Sequence, residues 1–111
     1  MQSYKLIVMT QPVEGREREY NDWYQGMHLP DLVAVYGVTS AQRFQLSRTV
    51  VADRGPLPYL AIYDIETDDI DKTLDDLKAR VGSGQIFVSP ALSKENYFGA
   101  VYQEFGPVVT R

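Results

Sequence analysis

The chain contains one histidine, His28, and the residues around it are the ones that could move a proton. His28 lies between Gly26 and Pro30 in the stretch NDWYQGMHLPDLVAVYGV. A neutral imidazole can act as a general base near pH 7. Asp31 is close enough in sequence to orient the ring, and Tyr24 lies four residues earlier, within reach across one helical turn. His28, Asp31 and Tyr24 are therefore the predicted catalytic residues.

Pro30 predicts a break in the helix that carries His28. Proline has no N–H, and its ring crowds the carbonyl four residues earlier, which here belongs to Gly26. We therefore expect the helix to break at this point and to restart at Pro30 as a short segment running to Tyr36. The positive end of that segment would lower the pKa of His28. The same position also suits a capping role, in which His28 only bonds freed backbone groups.

Trp23 and Tyr63 are candidates for binding a substrate. Trp23 shares a predicted helical face with Tyr20 and Met27, a stripe typical of a core that could also form a stacking wall. Tyr63 is one of eight tyrosines, a high number for this length. Tyrosine rings can line a pocket for a flat aromatic molecule, and they are equally common at dimer interfaces.

Arg43 and Phe44 are the other two candidates for substrate binding, and they alternate along a predicted strand. An arginine that points inward would anchor a carboxylate, whereas one that points outward would only be solvated. Phe44 would help to shape an apolar pocket. No nucleophile elbow and no phosphate-binding loop is present, which argues against acyl-enzyme and phosphoryl-transfer chemistry.

The elements that must position these residues follow from periodicity and turn signals. The first helix begins within EGREREYNDWYQGMH, and Gly37 follows its last apolar turn. Asp68 or Asp69 caps the second helix, which ends at Gly82. The apolar stripe of this second helix consists of Ile70, Leu74, Leu77 and Val81. The predicted strands are Tyr4–Thr10, Val38–Val51, Leu57–Glu66 and Asn96–Phe105.

This β-α-β-β-α-β order predicts an α+β, ferredoxin-like domain, residues 1–111, with both helices on one face of a four-stranded antiparallel sheet. The other face would then carry a large apolar patch, which we expect a second copy to cover, giving a homodimer. We expect the following side chains on that uncovered face: Phe44, Leu46, Tyr59, Ile62, Tyr63, Phe98 and Tyr102. The connection Gln85–Glu95 could act as a lid, with Ile86, Phe87 and Val88 closing over the pocket or reaching the partner.

Composition narrows the function further. A formal charge of −4 argues against nucleic acid as a partner. No apolar run is long enough for a membrane span or a signal-peptide core, so a cytoplasmic protein is expected. The chain has no cysteine and one histidine, which leaves no recognisable metal-ligand spacing. GSG at 82–84 is not a dinucleotide-binding motif and haem has no support beyond the one histidine, so we expect no cofactor.

The pattern W-Y-x-x-x-H-L-P-D-L, followed by Y-G-V-x-x-A-x-R-F, resembles the first helix and second strand of the dimeric α+β barrel superfamily, and most of all its EthD-like proteins. The residues that carry this resemblance are Trp23, Tyr24, His28, Leu29, Pro30, Asp31, Leu32, Tyr36, Gly37, Val38, Ala41, Arg43 and Phe44. The resemblance implies a homodimer whose sheets pack face to face into a barrel. It also implies a pocket between sheet and helices in each subunit, with His28 at its mouth. The superfamily hosts many chemistries, including cyclases, isomerases and cofactor-free monooxygenases.

These observations favour a small, cofactor-independent enzyme that uses His28 for proton transfer. Its substrate would be a flat, oxygenated aromatic, lactone or polyketide-like molecule, and its reaction a cyclisation, isomerisation or decarboxylation. The alternative is a non-catalytic homodimer of the EthD-like type that binds or presents a small molecule. A third reading is a dimeric scaffold whose pocket is filled by its own side chains.

Overall fold

A computed structural model describes all residues, Met1–Arg111, and contains one four-stranded antiparallel sheet. The strands are arranged in the order β2-β3-β1-β4. They are β1 (Gln2–Thr10), β2 (Val38–Gln45), β3 (Tyr59–Thr67) and β4 (Phe98–Gln103). The helices are α1 (Glu17–Trp23), a π-helical turn (Tyr24–His28), α2 (Leu29–Val33) and α3 (Ile70–Gly82). The predicted ferredoxin-like order is therefore confirmed.

The second strand is shorter than predicted, because it ends at Gln45 rather than at Val51. Its partner β3 begins only at Tyr59, which pairs with Gln45. Proline has no N–H to give to a sheet ladder, and two prolines precede β3. Val50 and Val51 are consequently exposed despite their high β propensity.

The helix does not break at Pro30, so that prediction was wrong. It continues through one π-helical turn, in which the amide of Leu29 donates to the carbonyl of Tyr24, five residues earlier. His28 and Leu29 both keep right-handed helical dihedral angles. A wider turn is a recognised way for a helix to take in an extra residue, and such turns are frequent at functional sites. The chain leaves α2 after Val33, short of the predicted end.

The third helix begins as predicted, because the Asp69 side chain accepts a hydrogen bond from the Lys72 amide at 3.1 Å. Its predicted apolar stripe is only partly covered. Thr73 is the buried residue of this helix, while Val81 is 41% exposed. The helix therefore does not seal against the sheet along its whole length, and a cleft remains between them.

The two faces of the sheet differ in what covers them. The helices bury alternate residues of the central strands, among them Leu6, Ala61, Tyr63 and Ile65. Two of the side chains expected on the uncovered face, Tyr59 and Tyr63, pack on the helix side instead, since they share the strand parity of Ala61. The uncovered face carries Ile7, Met9, Phe44, Leu60, Ile62, Phe98 and Tyr102.

The connection Gln85–Glu95 is not an open lid. Ile86 is buried in the core, and its amide donates to the carbonyl of Arg80 at 2.9 Å. The amide of Val13 donates to the carbonyl of Ala91 at 2.7 Å, and this bond fixes the C-terminal part of the connection. Phe87 remains half exposed, so the expected closing trio is divided between core and surface. None of the helices is long and apolar enough to cross a membrane.

Candidate functional site

The π-helical turn places His28 against two aromatic rings at once. The ring centroid of His28 lies 4.5 Å from that of Trp23, with the planes tilted by 32°. It lies 4.9 Å from the Tyr24 ring in an edge-to-face arrangement. In an uninterrupted α-helix Met27 would lie below Trp23, four residues apart. The extra residue of the wide turn moves Met27 outward, where it is 48% exposed, so the predicted stripe of Tyr20, Trp23 and Met27 is wrong in its last member.

Burial lowers the pKa of His28 to about 4. The predicted direction is confirmed, but the cause is desolvation and not the end of a restarted helix. Nδ1 is fully buried and has no hydrogen-bond partner, so His28 caps no backbone group. Nε2 is not fully enclosed. At pH 7 the imidazole is neutral.

His28 lines an apolar cleft of about 440 Å³ between α3 and the sheet. A volume of this size suits a small organic molecule. Besides His28, the lining includes one charged residue, Lys78, and one tyrosine, Tyr63. The apolar side chains that line it are Leu6, Val8, Leu32, Leu77 and Val81.

Tyr24 and Tyr63 form a hydroxyl pair behind the cleft. The Tyr63 hydroxyl donates to the Tyr24 hydroxyl at 3.3 Å, and both residues are almost fully buried. Burial raises the pKa of each phenol, so both stay protonated at neutral pH. The rings of Tyr24 and His28 meet edge to face, and no hydrogen bond joins the Tyr24 hydroxyl to the imidazole.

Asp31 lies in the first turn of α2, three residues after His28. It is half-buried and forms no hydrogen bond to the imidazole, whose Nδ1 has no partner. Trp23 is buried behind His28, and its indole N–H donates to the carbonyl of Phe87 at 3.2 Å. This hydrogen bond therefore links the connection after α3 to α1.

Arg43 and Phe44 do not line the His28 cleft, and they point to opposite faces of β2. Phe44 lies on the uncovered face. Arg43 points to the helix side, as the anchor hypothesis required, but packs beside Tyr24 with 4.7 Å between its guanidinium carbon and the ring centre. Tyr24 thus contacts both His28 and Arg43, and the two groups belong to different pockets.

Sequence reasoning missed the contribution of α3 to the site. The sequence predicts Leu77 and Val81 as part of a core stripe, and it does not single out Lys78. The stripe itself was the available signal, since an apolar helix face can line a cleft as well as fill a core. No group of three or more His, Asp or Glu side chains in the structure could hold a metal ion.

Solved structures with the same arrangement are found at low sequence identity. An EthD family protein from Bacillus halodurans is 13% identical, with a TM-score of 0.57 over 95% of this chain and 100% of that one. A DABB family protein with a ferredoxin-like fold from Mesorhizobium loti is also 13% identical, with a TM-score of 0.62 over 96% and 100%. An Arabidopsis thaliana protein is 10% identical, with a TM-score of 0.69 over 96% and 99%.

No family model matches the sequence, and no curated protein matches it either. The structural likeness spans nearly the whole chain, and at 10–13% identity it concerns the fold. The resemblance drawn from the sequence is confirmed at that level: the chain has a ferredoxin-like fold, similar to that of the DABB family protein and of the EthD family protein.

Proposed function

We propose that the cleft beside His28 binds a small, mostly apolar molecule that presents one hydroxyl or carbonyl oxygen to the imidazole. The observation that carries this proposal is the position of His28, a neutral and unpartnered side chain on the wall of an otherwise apolar cleft. Natural pockets of this kind combine apolar walls with very few polar groups that orient the ligand.

The cleft chemistry suits a flat, oxygenated aromatic, lactone or polyketide-like ligand. Leu77 and Val81 on one side and Leu6 on the other would contact the body of such a molecule. Tyr63 would add ring surface, while its hydroxyl already donates to Tyr24. Trp23 supports His28 from behind and shapes the site without lining it.

Proton transfer is the second candidate function, and the neutral state of His28 favours it. A cofactor-independent cyclase, isomerase or decarboxylase would need a base that is unprotonated at pH 7. A base with a pKa near 4 is weak, so another group would have to raise the pKa of His28 when a ligand is bound. Asp31 could do so if its carboxylate turned toward the ring, and Tyr24 could steady the imidazole through its edge contact. General-base catalysis typically contributes a factor of about 10²–10⁴.

We further propose that the protein functions as a homodimer through the uncovered sheet face. Phe44, Phe98 and Tyr102 on that face are 41%, 43% and 58% exposed in the single chain. Apolar patches of this kind usually mark an interface. Phe44 would then serve the dimer rather than the ligand.

The binding proposal is tested by following the His28 ring signals by NMR while adding phenols, lactones and aromatic acids at pH 7. A ligand should shift these signals, and His28→Gln should weaken its binding at least tenfold. Val81→Asp places a charge in the cleft and should abolish binding. Val33→Asp is the matched control, because Val33 is also 41% exposed but lies outside the cleft.

Two results would overturn the binding proposal. One is an absence of His28 shifts with any compound, and the other is an equal loss of binding in the two valine variants. The catalytic candidate has its own test. His28→Ala should abolish turnover of a bound ligand while circular dichroism and dimer mass stay unchanged, and turnover that survives would leave His28 with a binding role only.

A further inference from the structure

A second pocket lies on the other side of Tyr24, around the guanidinium group of Arg43. Its volume is about 390 Å³, and it shares no lining residue with the His28 cleft. We propose that this pocket binds a small carboxylate anion, with Arg43 as the residue that recognises it. The lining residues are Asn21, Gln25, Arg43, Phe44, Gln45 and Tyr59.

The charge of Arg43 is the first argument. Three arginines of the chain are half-buried, and two of them are paired with an acid. Arg16 contacts Glu19 at 2.6 Å, and Arg80 contacts Asp76 at 3.1 Å. Arg43 has no carboxylate within ion-pair distance, and no acid lines its pocket. A partly desolvated cation without a counter-charge is a place where an anion is stabilised.

The geometry of the guanidinium group is the second argument. Its central carbon lies 5.5 Å from the ring centre of Tyr20 and 5.3 Å from that of Tyr59, in addition to its contact with Tyr24. Arginine and an aromatic ring at such distances attract each other. One N–H group donates to the Asn21 amide oxygen at 2.7 Å. The group is therefore held in place, and the bond to Asn21 uses one of the five N–H donors that a guanidinium group carries.

The neighbouring side chains favour an anion over a cation. Asn21 donates its own amide N–H to the Tyr59 hydroxyl at 3.3 Å, which fixes the amide with its oxygen toward Arg43. Gln25 and Gln45 add neutral amide groups that can donate hydrogen bonds. A carboxylate matches this set because its two oxygens accept two parallel N–H bonds from one guanidinium fork.

The net charge of the chain makes this local arrangement necessary for anion binding. A protein of formal charge −4 does not attract anions over its whole surface. Binding of a carboxylate would therefore depend on Arg43 itself. This dependence distinguishes the proposal from weak, diffuse attraction, and it can be measured.

Benzoate is the probe, with benzamide as its neutral counterpart and chloride as a simple anion. We would record the Nε–H signals of the arginines by NMR during titration at pH 7. Benzoate should shift the Arg43 signal during the titration. Its dissociation constant should be at least tenfold lower than that of chloride or benzamide. Arg43→Lys should weaken benzoate binding about tenfold, because an ammonium group keeps the charge but lacks the fork.

Arg48→Met is the matched control, since Arg48 follows the same strand and its side chain donates a hydrogen bond to the neighbouring Ser47. It should leave benzoate binding unchanged. Gln25→Leu is a second variant that touches none of the contacts that hold Arg43, and it should weaken binding a few-fold with no loss of folding. Equal effects of Arg43→Lys and Arg48→Met would overturn the proposal. So would equal affinity for chloride, or benzoate shifts confined to His28.

Discussion

His28 is neutral because it is buried, and no partner offsets that burial. Trp23 and Tyr24 surround the ring with apolar surface, which disfavours the imidazolium form. A carboxylate bonded to Nδ1 would raise the pKa, but Asp31 does not make that bond. The residue is thus arranged for contact with a neutral or weakly acidic group.

The lowered pKa of His28 makes the stability of the fold depend on pH. The unfolded chain takes up a proton near pH 6.5 and the folded chain only near pH 4, so the unfolded state binds more protons between these values. The free energy of unfolding should therefore fall as the pH drops from 6.5 to 4. The loss should be at most ~3 kcal/mol, since one pKa unit corresponds to about 1.4 kcal/mol.

Urea unfolding of the wild type and of His28→Phe at several pH values measures this effect. The variant should lose the pH dependence between 4 and 6.5 while keeping the aromatic packing. Asp64 and Asp76 also have lowered pKa values, held first by Lys5 and by the Tyr36 amide. These two aspartates contribute to the free energy of unfolding above pH 3.8. That contribution is lost below pH 3.8, outside the range in which His28 acts. An unchanged slope in the variant would contradict the assignment to His28.

At the scale of the elements, the π-helical turn decides which residues face the sheet. One added residue rotates the later part of the helix, so that Leu29 and Leu32 continue the buried face begun by Tyr20 and Trp23. The same rotation carries His28 toward the cleft. The turn lies next to Pro30. In a regular α-helix the proline ring would clash with the carbonyl group four residues earlier. The wide turn resolves this conflict without ending the helix.

The turn after α2 is the most restrictive backbone position that the structure shows. Gly37 has a φ of +85°, and a Cβ there would lie 2.8 Å from the Thr73 hydroxyl and 3.3 Å from the Glu66 carbonyl oxygen. Gly37→Ala should therefore destabilise the protein by about 1–3 kcal/mol. Urea unfolding at pH 7 measures the change.

Gly26→Ala is the control for this prediction. Gly26 lies in the π-helical turn, where an added Cβ meets nothing within 4 Å. The substitution should change stability little, or raise it by up to ~1 kcal/mol, because alanine favours helix more than glycine does. If Gly37→Ala costs no more than Gly26→Ala, the backbone argument at Gly37 fails.

At the scale of the whole molecule, the uncovered sheet face predicts self-association. Ile62 lies on that face in the central strand β3, opposite Ile7 and Gln42. Ile62→Lys should raise the dissociation constant of the dimer at least tenfold, because an interface would then bury an unpaired charge. Sedimentation equilibrium over a range of concentrations measures it.

Val33→Lys is the control for the dimer prediction, because Val33 lies on α2, on the opposite side of the sheet from Ile62. It should leave the dimer intact. A wild-type chain that stays monomeric at high micromolar concentration would contradict the homodimer, and so would equal effects of the two lysine variants. Neither result would affect the binding tests on His28 and Arg43.

The sequence by itself determined the order of elements and the start of α3 at one of two adjacent aspartates, Asp68 or Asp69. These features depend on local signals: apolar periodicity, a capping Asp69 and glycines where the chain turns. It also singled out His28 and predicted the direction of its pKa change. The direction was right although its physical cause, burial of the ring, was not the one predicted.

Only the tertiary structure decided how the site is assembled. The wide turn after Trp23 rotates His28 onto the cleft, and no sequence rule separates such a turn from a helix break at Pro30. Which side Arg43 and Tyr63 face depends on strand pairing, and the partial cover from α3 depends on packing between distant elements. Propensities act over a few residues, whereas a cleft is the space left between elements far apart in the chain.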